Sequence, residues 1–220
     1  MKQWFTAAAV ALGIGSIQTG WAQGHGNHLG LKAGLTRTVL DGVYNLKADY
    51  KTGYSGGLVL RCRISKPVAI QPELLLAQYG AHQQYIYGIV TPNPEYDTNL
   101  TYLMVPVLCK IYVGGVFNVQ FGPQVGAFVW ATEVGRKANG EGLDTAVNEK
   151  YAAVDYGLCG GLGLDLPNGL FADVRLNYGM ANINNRDAYA KTPVGGPELH
   201  NRGFAFSVGY LFNTAKDTKF

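Results

Sequence analysis

Nine charged side chains sit inside otherwise apolar stretches of this 220-residue chain: Lys32, Arg61, Arg63, Lys110 and Arg175 against Glu73, Asp155, Asp165 and Asp173. Charges so placed either line a polar pathway and select what passes, or neutralise one another where water does not reach, because a buried charge without a partner is strongly destabilising. Five positive and four negative charges are near enough to balance for pairing. The other chemistry-bearing residues are scattered. His82 and His200, with Ser65, Ser207, Glu95 and Asp97, are the types a membrane hydrolase needs as nucleophile and base. No pair of them stands at a spacing that compels catalysis, so the chain is expected not to be an enzyme. Cys62, Cys109 and Cys159 lie far apart, none beside a histidine, and read as small apolar residues rather than metal ligands. No metal site and no cofactor motif is read. A net charge of +3, without a basic run interleaved with aromatics, argues against nucleic acid.

The elements that must position these residues begin after a targeting segment. Residues 1–22 carry Lys2, a short Ala-rich apolar run and Gly20-Trp21-Ala22, which puts small residues where a signal peptide is cut. The run is too short to span a membrane as a helix, which takes about 20 apolar residues. The odd cysteine count of the exported chain also cannot complete an intrachain disulfide framework. Charged residues make up 15% of the chain against roughly 25% in soluble domains, with 30 Gly and 14 Tyr. That composition calls for many strands and turns.

After a lead-in over 23–28, eight strands are predicted near 29–37, 53–64, 68–80, 100–113, 116–131, 151–165, 169–183 and 201–213, followed by a tail over 214–220. The connections alternate. Those at 38–52, 81–99, 132–150 and 184–200 are long; those at 65–67, 114–115 and 166–168 are short and built from Pro, Gly and Asn, which suit tight turns. An up-and-down transmembrane barrel has short periplasmic turns and longer external loops. The expectation is therefore an all-β, eight-stranded antiparallel barrel in the outer membrane with periplasmic termini.

Successive strand residues face opposite sides. Phe204, Phe206, Val208, Tyr210 and Phe212 share one face of the last strand, and Gly203, Ala205, Ser207 and Gly209 the other. All nine embedded charges take the face opposite the aliphatic row. Alternation alone does not say which face is inside. The charged face is also the glycine face (Gly30, Gly34, Gly57, Gly122, Gly126, Gly157, Gly161, Gly163, Gly203), and an eight-stranded interior has room only for side chains to fill it. That turns the charged face inward and the apolar face toward lipid, which admits only a closed barrel. Tyr54, Tyr151, Tyr178 and Phe212 fall near strand ends, where aromatic girdles sit. Tyr79, Tyr102, Tyr112, Phe128 and Trp130 have lumen parity and cap the interior instead. Pro106 and Pro123 fall inside predicted strands, where bulges or ladder gaps are expected.

Residues 102–110, Tyr-Leu-Met-Val-Pro-Val-Leu-Cys-Lys, resemble the Y-L-x-[IV]-P-[LV]-L-x-K strand of the PorT-like outer-membrane β-barrel family of Bacteroidetes-type bacteria. Phe121-Gly122-Pro123-Gln124-Val125-Gly126 is similar to its G-P-x-x-G strand. Asp155-Tyr156-Gly157 with Gly161-Leu162-Gly163 resembles its D-x-G-x-x-x-G-x-G strand, and Asn201-Arg202-Gly203-Phe204 opens the last strand as in the family. The likeness spans the whole mature barrel. The family pattern often carries an acidic residue where Met104 stands. The resemblance implies a porin-like or assembly-associated outer-membrane protein.

The functional expectation is a barrel whose paired charges plug a polar lumen, with a structural or interaction role in the cell envelope. A narrow channel for small solutes and an accessory part of a secretion system are the alternatives. Outer-membrane lipid surrounds it. Phe204, Phe206, Tyr210 and Phe212 resemble the aromatic-ended insertion signal read by barrel-assembly machinery. Tyr85, Tyr87, Pro92, Pro94 and Tyr96 in the second long loop, and a flexible stretch over 139–144 in the third, offer a binding surface to an envelope partner. Asp144-Thr145-Ala146 resembles a short O-glycosylation signal.

Overall fold

A computed structural model describes residues 27–42, 46–85, 95–136, 142–146, 148, 151–184 and 198–212. It contains strands β1 (Asn27–Asp41), β2 (Leu46–Arg63), β3 (Val68–Tyr85), β4 (Glu95–Val113), β5 (Phe117–Arg136), β6 (Gly142–Ala146), β7 (Val154–Asp165), β8 (Leu170–Gly179) and β9 (His200–Leu211). Each long strand pairs antiparallel with its neighbour around the ring, and β1 pairs with β9 through twelve residue pairs. The result is a closed eight-stranded barrel. The remaining strand, β6, pairs among the described residues only with the outer end of β5, at Thr132–Ala146 through Arg136–Gly142.

The alternation read from the sequence sets the two faces. Among the described residues 35 large hydrophobic side chains stay exposed, Leu58, Leu76, Phe206 and Val208 among them. A soluble monomer does not carry so continuous an apolar surface. The inner face is polar or small. At the terminal end, where β1 begins and β9 ends, the turns are short, and Gly114 and Gly115 adopt φ of 68° and 84°, where a side chain is strained.

The strands outrun the limits expected from hydrophobic alternation. β1 and β2 continue through much of the predicted loop over 38–52, with Thr38 still paired to Lys51. β3 and β4 likewise run into 81–99, with Gln84 opposite Glu95. Backbone pairing does not require an apolar face, so a ladder that has left lipid continues with polar side chains. Gly142 to Asp144, expected as flexible, lie in β6, and so does the Asp144-Thr145-Ala146 signal. Tyr85 and Tyr96 lie in strands; Tyr87, Pro92, Pro94 and the tail beyond Phe212 lie outside the described residues. Conversely, Tyr151 joins Asn184 only by an isolated bridge, and β8 stops at Gly179.

Two register shifts break the regularity, neither at a proline. Thr101 pairs with Trp130 and Tyr102 with Phe128, so Val129 is one residue too many and parity reverses beyond it. Trp130, expected inside, therefore points outward and is 46% exposed, while Ala131 and Glu133 turn inward. The second shift lies between Tyr50 and Ser55 of β2, opposite β3. There two β1 threonines reach past β2. Thr36 Oγ1 donates to the Gln78 carbonyl at 2.6 Å, and Thr38 Oγ1 donates to the Gly80 carbonyl at 3.0 Å and accepts from the Gly80 amide at 2.9 Å. The prolines give ladder gaps without a slip. Pro72 faces Val107, Pro106 faces Gln124, and pairing resumes in the same register on both sides.

Candidate functional site

The lumen divides into two layers. Toward the terminal end, inward positions of six strands bring together Lys32 (β1), Arg61 (β2), Gln71 and Glu73 (β3), Lys110 and Tyr112 (β4), Asp165 (β7), and Asp173 and Arg175 (β8). Small cross-strand neighbours make room for the long side chains. Lys32 lies between Gly57 and Gly209, Asp173 between Gly163 and Ser207, and Arg175 between Gly161 and Ala205. A Cβ at Gly161 would stand 2.9 Å from Arg175 Cα, closer than side-chain carbons approach backbone.

Arg175 grips Glu73 with two parallel hydrogen bonds, Nη1 to Oε2 at 2.7 Å and Nη2 to Oε1 at 2.6 Å, the bidentate geometry that makes arginine–carboxylate pairs strong. Lys32 Nζ lies 2.8 Å from Asp173 Oδ2 and 3.5 Å from Glu73. Arg175 Nη2 also reaches Asp173 at 3.2 Å. A second set gathers on Asp165, with Arg61 Nη1 at 2.9 Å, Lys110 Nζ at 3.3 Å and the Tyr112 hydroxyl donating at 2.6 Å. Gln71 joins the sets. Its Nε2 donates to Glu73 at 2.6 Å, and its Oε1 accepts from Arg61 Nε at 2.8 Å and from Lys110 at 3.4 Å. Arg61 and Lys110 also lie over the Phe171 ring, 5.1 and 5.7 Å from its centroid.

Seven of the nine sequence-derived charges thus meet in one network. Arg63 and Asp155 stand apart from it. Arg63 shares the inward parity but sits at the exposed terminal rim, its guanidinium 4.3 Å from the Tyr112 ring centroid. Asp155 lies near the other end, where Asn201 Nδ2 donates to it at 2.8 Å. Sequence reading missed Gln71, because a census of charges passes over an amide. Its parity with Glu73, two residues on, was the available signal. Asn118 and Gln120, inward on β5 as expected, are buried with both amide atoms unpaired.

Above the charges, toward the long loops, apolar and aromatic side chains predominate: Leu75, Tyr79, Leu100, Tyr102, Met104 and Ile183 are all buried, with Glu133, Asp155 and Asn201 buried among them. Tyr79, Tyr102, Phe128 and Tyr151 form a chain of rings with centroids 5.9, 5.8 and 6.2 Å apart. Met104 belongs to this layer. Between the layers lies a cavity of about 20 Å³, bounded by Lys32, Arg175, Leu75, Tyr79, Met104 and Gln124, room for about one water.

The remaining candidates are dispersed. His82 Nδ1 lies 2.8 Å from Asp97 Oδ1 on the outer wall, where Lys51 also reaches Asp97 at 3.3 Å. His200 Nδ1 lies 2.8 Å from the Ala181 carbonyl. Ser65 is in a turn at the opposite end, and Ser207 is buried in the lumen. Cys62 and Cys109 are half-buried, Cys159 is buried, and all three are free thiols. Phe204, Phe206, Tyr210 and Phe212 form an exposed outward row.

Three solved structures share this architecture over most of their length. They are the Neisserial surface protein A (TM-score 0.48, 10% identity, 85% of this chain and 99% of that one), the attachment invasion locus protein Ail of Yersinia pestis crystallised with the heparin analogue sucrose octasulfate (0.47, 10%, 84% and 99%), and the outer membrane protein OprG of Pseudomonas aeruginosa (0.45, 13%, 86% and 98%). No curated protein matches the chain. The profile of one protein family matches residues 21–185, three quarters of the sequence, and with it the closed inside-out barrel places the chain in the outer membrane protein beta-barrel domain family, in the outer membrane.

Proposed function

We propose that this barrel is a non-conducting component of the cell envelope, inserted with both termini in the periplasm, that presents its long-loop end as an interaction surface. The observation that carries this reading is the lumen's double closure. Charges that would line a pore are bonded to one another across the barrel axis, and a layer of rings lies over them. An eight-stranded barrel has an interior that side chains can fill, so no aqueous channel is needed to explain the charges. Short turns at the terminal end support the orientation, since such turns face the periplasm in this class. The outward row ending in Tyr210 and Phe212 suits reading by barrel-assembly machinery. The order of the strand motifs supports a place among PorT-like barrels.

Single-channel recording in planar bilayers tests the reading. The purified barrel is expected to give no steady openings. Large, steady openings would replace the plug with a porin-like channel, in which Arg63 and the unpaired amides of Asn118 and Gln120 line the terminal mouth. Crosslinking in intact outer membranes, followed by capture of the barrel, identifies the partner and decides whether it belongs to a secretion system.

A further inference from the structure

The outer wall carries a depression of about 460 Å³ at the long-loop end of β2–β5, lined by Tyr54, Gly56, Leu76, Gln78, Thr101 and Trp130. That size falls within the range of small-ligand sites. One register shift contributes to it: the extra residue at Val129 turns Trp130 outward at one edge. Tyr54, in unbroken outward parity with Leu58 and opposite Leu35, stands at the other. Gly56 leaves the space between them empty. A Cβ built there meets only the Lys32 carbonyl, at 3.4 Å, so the backbone does not require glycine.

The level of the depression decides what faces it. Outward residues of β4 run Ile111, Cys109, Val107, Val105, Leu103 and then Thr101, Asn99 and Asp97; those of β3 run Ile70, Leu74, Leu76 and then Gln78 and His82. From Ile111 to Leu103 is nine residues, the length of a tilted membrane strand of about 9–11. Gln78 therefore stands where hydrocarbon gives way to the polar interface, flanked by two girdle-type aromatics, with Thr101 buried at the floor of the depression. Leu76 and the Gly56 gap lie on the hydrocarbon side. At this level an acyl lipid presents its ester carbonyls, which only accept hydrogen bonds, with its chain directed into the apolar band.

We propose that this groove binds one ester-linked acyl lipid, its chain lying over Gly56 and Leu76 between the Tyr54 and Trp130 rings, an ester carbonyl accepting from the Gln78 amide. This inference rests on the barrel spanning the membrane and not on its conductance or orientation.

The test is native mass spectrometry of the barrel released from phosphatidylcholine vesicles, made with either the diester lipid or its diether analogue. Wild type is expected to retain one diester lipid and to retain the diether analogue roughly tenfold less. Gly56→Leu fills the groove and abolishes retention. Gly160→Leu is the matched control, because Gly160 is also outward on β7 and a Cβ there comes no closer than 3.6 Å to any neighbour. It retains lipid like wild type. Gln78→Leu keeps some retention but loses the preference for ester over ether. Heat-modifiable gel migration checks that each variant is folded, and Tyr54→Ala, at an exposed position, serves if Gly56→Leu is not. Equal retention by Gly56→Leu and Gly160→Leu, or no ester preference in wild type, overturns the proposal. A dimer mass lost in Gly56→Leu also overturns it, by assigning the groove to a second copy of the chain.

Discussion

The two layers of the lumen are packed by opposite physics. Near the termini, four cations and three carboxylates are taken out of water and held by mutual hydrogen bonds. Near the long loops, buried rings and aliphatic side chains predominate, and the buried Asp155 is bonded to the Asn201 amide. Packing by charge is demanding in partners, because each group needs another group in a fixed place. Packing by rings is demanding in volume only. The charged layer should therefore be brittle to single changes and the apolar layer graded in its response.

The sharpest way to break that contrast is Glu73→Leu, which removes the carboxylate that Arg175 grips and Lys32 approaches. An uncompensated buried charge should cost about 3–5 kcal/mol, read as a shift in urea unfolding of the barrel in lipid vesicles. Combining it with Arg175→Leu should recover part of that loss, since the orphaned guanidinium is then gone. A double variant as unstable as the sum of the singles would show that the layer is not a coupled network. In the apolar layer, Leu100→Ala should cost about 2–3 kcal/mol by opening a cavity, with no partner mutation able to restore it. Thr38→Val leaves the Gly80 amide and carbonyl without their side-chain partner and should cost about 1–2 kcal/mol, with faster amide exchange confined to the β2–β3 seam.

The smallest effect is expected outside the lumen, at Asp97 on the polar rim. Partial burial pushes its carboxyl up, but the His82 hydrogen bond and the Lys51 charge outweigh burial and hold it below the ordinary aspartate value. A depressed carboxyl contributes stability that is present above its unfolded value and lost as pH falls through the folded one. NMR titration should find Asp97 protonating below the ordinary range and returning toward it in His82→Ala. An unchanged titration would remove His82 from the cause.

Much of this arrangement was legible in the sequence because the period of a strand is two. Parity alone placed Lys32, Glu73, Lys110, Asp173 and Arg175 on one face, and the glycines on that face said which way it turned. Parity does not measure height along the barrel, so it could not separate Asp155, which lies with the aromatic layer, from the charges around Glu73. Nor can it survive an inserted residue. Val129 reverses the alternation in a stretch whose composition does not announce a bulge, and Trp130 changed faces with it. The prolines, which do announce irregularity, caused no slip. Strand ends beyond the apolar band were missed for a related reason: hydrogen bonding continues there after the hydrophobic signal has stopped.

The seam between β1 and β9 has a consequence for how the molecule forms. Seven of the eight joints around the ring link strands that follow one another along the chain, apart from the β6 excursion, and can assemble locally. The eighth brings Gly30 to Leu211 and cannot assemble until nearly the whole chain is in place. Loop-closure entropy is concentrated in that one event, the kind of distant pairing that slows folding. Its twelve pairs run without a bulge or a proline, so once the first contact is made the remainder can follow in sequence. The rate of biogenesis should then depend on the meeting of two strand edges and little on the lumen that separates them.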